Sequence, residues 1–323
     1  MESATKNKQS KDIIVKMVQK AFQNSLRPDE LKIRELSEGF FNVAYEVAMP
    51  ERTIILKIAP PMRSQIMSYE KNIMIAEVEG LRLAKEKAKI PVPEVFYYDS
   101  SRSLCDADYF FMEKLDGESL YTLKGNGLVQ EKYDEIVRET GKLNREINRI
   151  EGSSFGYFGQ PEKQGSCWKE TFLAMIEEVL ADGEKIEISI GMEYDAVRKL
   201  LQKAAFSLEE IKTPVFVHWD LWDGNVFVRD GKVSGIIDFE RSLWGDPLME
   251  YFFRRNARCN AFMEGYGEDL RKDSPVRALL YDMYLYLIMV IETKYRKYTD
   301  DSQYNYAIKE LASAVDELTK IVQ

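Results

Sequence analysis

No stretch of this sequence is apolar for long enough to cross a bilayer. The longest such run extends only from Met283 to Ile291, against the roughly 20 residues a spanning helix needs. The N-terminal stretch from Met1 to Lys11 is polar and lacks the apolar core of a signal peptide. Cysteine is scarce. Cys105, Cys167 and Cys259 show neither paired nor metal-type spacing, so free thiols in a reducing cytosol, and a cytoplasmic location, are expected. Positive charge is outweighed, with 45 Lys and Arg against 54 Asp and Glu and a net charge of −9. Nucleic acid and anionic membrane are poor partners for such a chain, although a local basic site is compatible with the total. Internal repeats and low-complexity tracts are missing too. What is present is 323 residues with 45% hydrophobic content, ample for a packed core and suggestive of two lobes.

Chemistry concentrates in one stretch, Val217-His218-Trp219-Asp220-Leu221-Trp222-Asp223-Gly224-Asn225-Val226-Phe227-Val228. A turn at Asp230-Gly231 follows it, then Gly235-Ile236-Ile237-Asp238-Phe239-Glu240. The first part fits the H-x-D-L-x-x-x-N kinase loop, in which the Asp accepts a hydroxyl proton and the Asn holds metal. The second places Asp238 where a kinase keeps its metal-binding D-F-G Asp. In-line phosphoryl transfer needs an acceptor oxygen, a phosphate and Mg²⁺ close together, so positioning and charge neutralisation are the protein's main tasks. Asp220 and Asn225, five apart on a tight loop, can face opposite sides of one phosphate. Two short apolar strands around Asp230-Gly231, a common hairpin pair, would return Asp238 to Asn225. The plain alternative is a buried hairpin whose polar residues cap turns. His218, the only histidine, reads most simply as a brace for the loop.

The rest of the chain supplies a frame. Asp12 to Phe22 reads as an amphipathic helix capped by Ser10. Leu31–Leu36, Val43–Ala48 and Thr53–Ile58 read as an antiparallel meander. Lys57 ends an Ile-Ile-Leu-Lys run like the V-A-I-K of a kinase strand, whose Lys contacts phosphates; alone, a Lys at a strand end is usually just solvated. A helix over about Gln65 to Lys87 offers Glu70, Glu77 and Glu79 as ion-pair partners for that Lys. Glu77 is chosen because Leu81 and Ala84 share its face, with Glu79 as runner-up. Ile90-Pro91-Val92-Pro93 ends this helix, and strands at Val95–Tyr98 and Tyr109–Leu115 lead to Met112-Glu113-Lys114-Leu115-Asp116-Gly117. In a kinase-like fold that segment is the hinge: the backbone of Glu113 and Leu115 meets an adenine edge with Met112 behind the base. A turn after a buried strand is the alternative. Beyond Gly117 helices dominate, over Lys132–Ile150, Trp168–Leu180, Glu193–Ile211, Leu248–Asn256, Val276–Lys297 and Gln303–Val322, with a loop at Gly152–Gln164.

Assembled, these residues resemble the aminoglycoside phosphotransferase family of kinase-like small-molecule phosphotransferases, from about Leu31 to the C-terminal helices. The resemblance implies an α+β, bilobal protein-kinase-like fold. Its N-terminal lobe, residues 1–114, is an antiparallel sheet plus helix that binds nucleotide. Its mostly helical C-terminal lobe, residues 115–323, carries the catalytic hairpin and the acceptor. By position, Asp220 looks like the catalytic base, Asn225 and Asp238 like Mg²⁺ ligands, and Lys57 with Glu77 like the phosphate-binding ion pair. The co-substrate implied is ATP or GTP. The chain departs from the family at Trp219, where Gly is usual, and at Asn148, where many relatives carry His. Its nucleotide loop has only Gly39, whose neighbours' backbone amides, Glu38 to Asn42, would cover phosphates.

Asp246-Pro247 follows Asp238 after only eight positions. That leaves no activation segment to dock a peptide, and a small-molecule acceptor is expected. The stretch Met175–Asp195 holds Glu177, Glu178, Asp182, Glu184, Glu187, Glu193 and Asp195. It either favours a cationic acceptor such as an aminoglycoside or is a solvated acidic face. Trp219, Trp222 and Trp244 either stack on an acceptor ring or belong to the core. A choline-like amine, a sugar, an amino alcohol and a macrolide are open as acceptors besides an aminoglycoside. A regulatory nucleotide-binding module is the reading from another class. The oligomeric state is not legible.

Overall fold

The computed structural model describes residues 6–23, 26–36 and 41–322. Its N-terminal part is a five-stranded antiparallel sheet ordered β1-β2-β3-β5-β4. The strands are β1 (Lys32–Leu36), β2 (Val43–Ala48), β3 (Thr53–Ile58), β4 (Val95–Asp99) and β5 (Tyr109–Glu113). Successive strand residues face opposite sides, and this decides where the chemistry points. Ile54, Leu56 and Ile58 of β3 join Tyr109 and Phe111 of β5 in one core. Ile14, Val15, Met17 and Val18 of helix α1 (Lys11–Phe22) close that core. Ile55 of β3 and Phe110 and Met112 of β5 belong to the opposite core, which continues into the helical part. Lys57 alternates with Ile54, Leu56 and Ile58, so it shares the Ile55 face. Helix α1 is capped as expected, Ser10 accepting from the Ile13 amide.

Helix α2 (Ile73–Leu83) packs across that second face and ends in a π-turn at Ala84–Ala88. It is shorter than the sequence suggests. Its expected first turns are replaced by a 3₁₀ turn at Ser68–Glu70. There the Glu70 carboxylate accepts from the Met67 amide, and Asn72 adopts a left-handed backbone. Side-chain anchoring overrides helical periodicity here.

The remaining chain supplies β6 (Glu118–Ser119), α3 (Leu120–Gly125), α4 (Gln130–Asn148), β7 (Gly156–Tyr157), α5 (Trp168–Lys185), α6 (Tyr194–Ala204), β8 (Val215–Val217), β9 (Val226–Arg229), β10 (Lys232–Ile236), β11 (Leu243–Gly245), α7 (Asn260–Tyr266), α8 (Leu270–Asp273), α9 (Pro275–Tyr295) and α10 (Ser302–Val322). The expected hairpin is β9–β10, and Asp230 and Gly231 at its tip both have positive φ, as a tight hairpin turn requires. Helix α9 is buried along most of its length and forms the spine of the helical part. The helix expected over Leu248–Asn256 is instead two 3₁₀ turns, Pro247–Met249 and Tyr251–Phe253. Glu250 and Arg254 between and after them are extended, because their side chains are drawn under the loop that follows β8. The fold is thus α+β, an antiparallel N-terminal sheet with helix and a helical C-terminal part.

Candidate active site

The loop after β8 is held from below by one carboxylate. Glu250, fully buried, accepts from the amides of His218 at 2.9 Å and Trp219 at 3.0 Å. Asn144 and Asn148 of α4 each donate to the same carboxylate at 2.9 Å. Asn148 also donates to the Phe216 carbonyl and accepts from Tyr266. Trp219 takes φ +70°, the left-handed region that favours glycine. Its side chain is buried, its amide is held by Glu250 and its carbonyl by Arg254. The surroundings therefore hold a large residue in a conformation that glycine adopts freely.

His218 ties this loop to the returning strand. Its Nδ1 accepts from the Asp220 amide at 3.2 Å, which leaves the proton on Nε2 to donate to the Ile237 carbonyl at 3.0 Å. The Ile237 amide donates in turn to the Asn225 carbonyl at 3.0 Å. Asn225 is buried, and its Nδ2 donates to the Asp220 carbonyl at 2.8 Å. Asp220, Asn225 and Asp238 are thereby fixed relative to one another through their backbones.

Asp238 also has a left-handed backbone, φ +69°, and its carboxylate meets the N-terminal lobe. Lys57 Nζ donates to Asp238 Oδ1 at 2.8 Å and to Glu77 Oε1 at 2.6 Å. Glu70 and Glu79 lie elsewhere: Glu70 pairs with Arg296 at 2.9 Å, and Glu79 with Arg82 on the surface. Helix α2 can bring Glu77 this close because Gly80 sits on the same face. A Cβ at Gly80 would lie 2.8 Å from the Phe239 Cβ. Burial opposes charge on Lys57, but Asp238 and Glu77 outweigh it and raise its pKa. Burial likewise opposes ionisation of Asp238, yet Lys57 outweighs it and holds that carboxyl below its ordinary range.

The structure adds Glu240, a third carboxylate beside the two that Lys57 bridges. Oxygens of Glu77, Asp238 and Glu240 all lie within 4.8 Å of one another. Burial pushes the Glu77 carboxyl up to about 7, with Asp238 adding to the effect against Lys57. Burial and then Asp238 push Glu240 up to about 8. Asn42 donates to Glu240 at 2.7 Å, while Glu77 Oε2 is buried without a hydrogen-bond partner. An excess of carboxylate oxygens around one cation is what a divalent metal such as Mg²⁺ would complement, so the donor set fits one. Glu77, Asp238 and Glu240 supply the oxygens gathered at that position. The D-F-E run advertised Glu240 in sequence, but a kinase pattern assigns no role to that position.

The remaining expected residues are distributed around this centre. Met112 is buried in the inner core. The Glu113 amide already donates to the Glu94 carbonyl at 2.8 Å, so that N–H is not free for a base edge. The Leu115 side chain packs on Gly235, where a Cβ would come within 2.3 Å of it. Gly39 lies outside the described residues. Of the tryptophans, Trp219 is core, Trp244 packs on Phe158 at 4.8 Å, and Trp222 meets the exposed Tyr121 edge-on at 5.4 Å. Most acidic residues of Met175–Asp195 are already engaged. Arg198 gathers Glu177, Glu184 and Asp195, Lys163 takes Glu178, and Asp182 accepts from Ser68.

Comparison with known proteins bears on the whole chain. The phosphotransferase enzyme family (APH) matches residues 32–277. Among solved structures, a candidate fructosamine-3-kinase from Haemophilus somnus 129PT is 18% identical with a TM-score of 0.68, covering 93% of this chain and 96% of its own. A thermostable mutant of aminoglycoside phosphotransferase APH(4)-Ia, in ternary complex with ADP and hygromycin B, is 18% identical with a TM-score of 0.67, covering 93% and 97%. APH(2″)-IIa, in complex with streptomycin and ATP, is 16% identical with a TM-score of 0.58, covering 97% of both chains. No curated protein sequence matches.

Proposed function

The chain belongs to the phosphotransferase enzyme family, and from that premise we propose that it moves the γ-phosphate of ATP or GTP to a hydroxyl of a small molecule. The observation that carries this reading is the bridge from Lys57 to both Glu77 and Asp238. It joins the sheet, α2 and the catalytic hairpin at one point. In this reading residues 1–114 hold the nucleotide and residues 115–323 the acceptor. Lys57, oriented by Glu77, receives the phosphates. Met112 backs the base, and the backbone at Leu115 meets its edge together with what Glu113 still offers. Asp220 accepts the proton of the attacking hydroxyl. His218 and Asn225 hold the Asp220 backbone so that its carboxylate stays aimed. Asp238 and Asn225 would hold Mg²⁺, which when bound neutralises charge on the phosphate oxygens.

A small acceptor is supported by what lies between Asp238 and Asp246. The 3₁₀ turn Phe239–Arg241 and strand β11, paired with β7 and β8, consume that whole segment. Two of the relatives named above carry hygromycin B and streptomycin, which makes aminoglycosides the first acceptors to try. The test is phosphate transfer from ATP and from GTP, with Mg²⁺, across aminoglycosides, sugars, amino alcohols and hydroxy acids, with Asp220→Asn alongside. Transfer is expected to fall on the order of 10²-fold or more in the variant, with nucleotide affinity near normal. Full turnover in Asp220→Asn would place the base elsewhere.

A further inference from the structure

Two arginines that no motif announced lie against Trp219, the residue before Asp220. Arg254 is 8% exposed, and its guanidinium carbon lies 4.9 Å from the centroid of the Trp219 ring. Arg241, with 14% side-chain exposure, lies 5.2 Å from the same ring and 5.3 Å from that of Tyr69. Placing two buried cations on one indole is costly, since each weakens the other's solvation and they repel. Proteins normally answer that cost with carboxylates, and this chain does so elsewhere. Arg277 meets Asp246 at 2.6 Å, Arg271 meets Asp282 at 2.5 Å, and Arg296 meets Glu70 and Glu292 at 2.9 Å.

The pair at Trp219 is answered differently. Arg254 has no carboxylate within 4.0 Å among the described residues, and its guanidinium donates to the Trp219 carbonyl. Arg241 reaches only Glu292, at 3.6 Å, and that carboxylate is already held by Arg296 and Gln303. Arg241 makes no hydrogen bond among the described residues. Arg254 holds the carbonyl of the peptide that leads into Asp220, the residue read above as the base that meets the acceptor hydroxyl, so in that reading the pair borders the acceptor; Arg241 also acts electrostatically on Asp238 and Glu240.

We propose that Arg241 and Arg254, carried on Trp219, form an anion-binding subsite, so that the acceptor is an alcohol bearing a carboxylate or a phosphate. Planar guanidinium forks are suited to these two groups. The inference rests on the phosphotransfer reading and specifies its substrate class. It also agrees with the acidic stretch, whose carboxylates are mostly paired with Arg198 and Lys163 and so are not free to attract a cation.

The test is calorimetric titration of the full chain with inorganic phosphate, acetate and glycerol, in the presence of Mg²⁺ and saturating AMP-PNP and again without nucleotide. The wild type is compared with Arg241→Gln, Arg254→Gln and Arg254→Lys, each checked for folding by its thermal transition. Phosphate and acetate are expected to bind with nucleotide in place, and glycerol not. Each Gln variant should weaken anion binding about tenfold or more, Arg254→Lys less, with AMP-PNP affinity within about twofold of wild type. Anions that bind the nucleotide-loaded wild type no better than glycerol would overturn the proposal, and this arm needs no variant to fold. A loss confined to AMP-PNP affinity in the Gln variants would overturn it too, reassigning both arginines to the nucleotide. Phosphate transfer to hygromycin B in preference to hydroxy acids would discard the anionic acceptor and keep the phosphotransferase. Failure to bind AMP-PNP at all would instead remove the phosphotransfer reading, while anion binding without nucleotide would still support the arginine site.

Discussion

Two clusters of ion pairs in this molecule look alike on distance alone. Arg198 gathers Glu177, Glu184 and Asp195 at 2.8, 2.7 and 3.3 Å. Lys57 gathers Glu77 and Asp238 at 2.6 and 2.8 Å. They differ in water. Asp195 is 82% exposed, whereas Glu77 is fully buried. Exposed pairs contribute about 0–1 kcal/mol. Removing one partner of a buried pair costs about 3–5 kcal/mol, because an uncompensated charge is left behind. The same residue types thus make a solvated brace between α5 and α6 in one place and a strained, acid-rich centre in the other.

The sharpest way to test this contrast is to remove the carboxylate at its centre. Asp238→Ala is expected to abolish Mg²⁺-dependent nucleotide binding, read as AMP-PNP titrations with and without the metal. Unchanged affinity would take Asp238 out of the metal site. Glu77→Ala comes next. It leaves Lys57 with Asp238 alone, so a loss near the low end of the buried-pair range, about 3 kcal/mol, is expected in urea unfolding. A loss under about 1 kcal/mol would mean that water reaches Lys57 freely.

The hairpin, its turn and the strand that carries Lys57 were legible because each follows from short-range rules. Alternation in Thr53–Ile58 fixes which side Lys57 takes, and Asp230-Gly231 fixes the return of β10. The helix ends of α2 and the stretch after Pro247 were not. There the backbone follows Glu70, Glu250 and Arg254, whose partners lie far away in sequence. Glu240, Arg241 and Arg254 were missed for the same reason. Charged residues beside a motif read as surface until the fold shows which carboxylates reach them. The acidic stretch left two readings open in sequence, and only the fold shows that Arg198 and Lys163, both outside it, engage four of its carboxylates.

Trp219 probes the buried region from below. Trp219→Gly should relieve about 1–2 kcal/mol of left-handed backbone cost, yet lose the packing of a buried indole, which large-to-small changes put at about 3–5 kcal/mol. A net loss of about 2 kcal/mol in urea unfolding is expected, because burial outweighs strain. A variant as stable as wild type would show that the ring contributes little beyond seating the two arginines.

Arg198→Ala carries the smallest expected effect and tests the exposed side. Glu177, Glu184 and Asp195 would then face one another across α5 and α6 in water, where charges separated by roughly 8–10 Å are largely screened at physiological salt. Stability should fall by no more than about 1 kcal/mol, and the loss should shrink as salt is added. The acceptor's KM should not move, since these carboxylates serve Arg198 and not a ligand. If freeing them instead tightened binding of a polycationic acceptor several-fold at low salt, the acidic face would border the acceptor's path. The two clusters would then be parts of one site, and the case for an anionic acceptor at Arg241 and Arg254 would weaken with it.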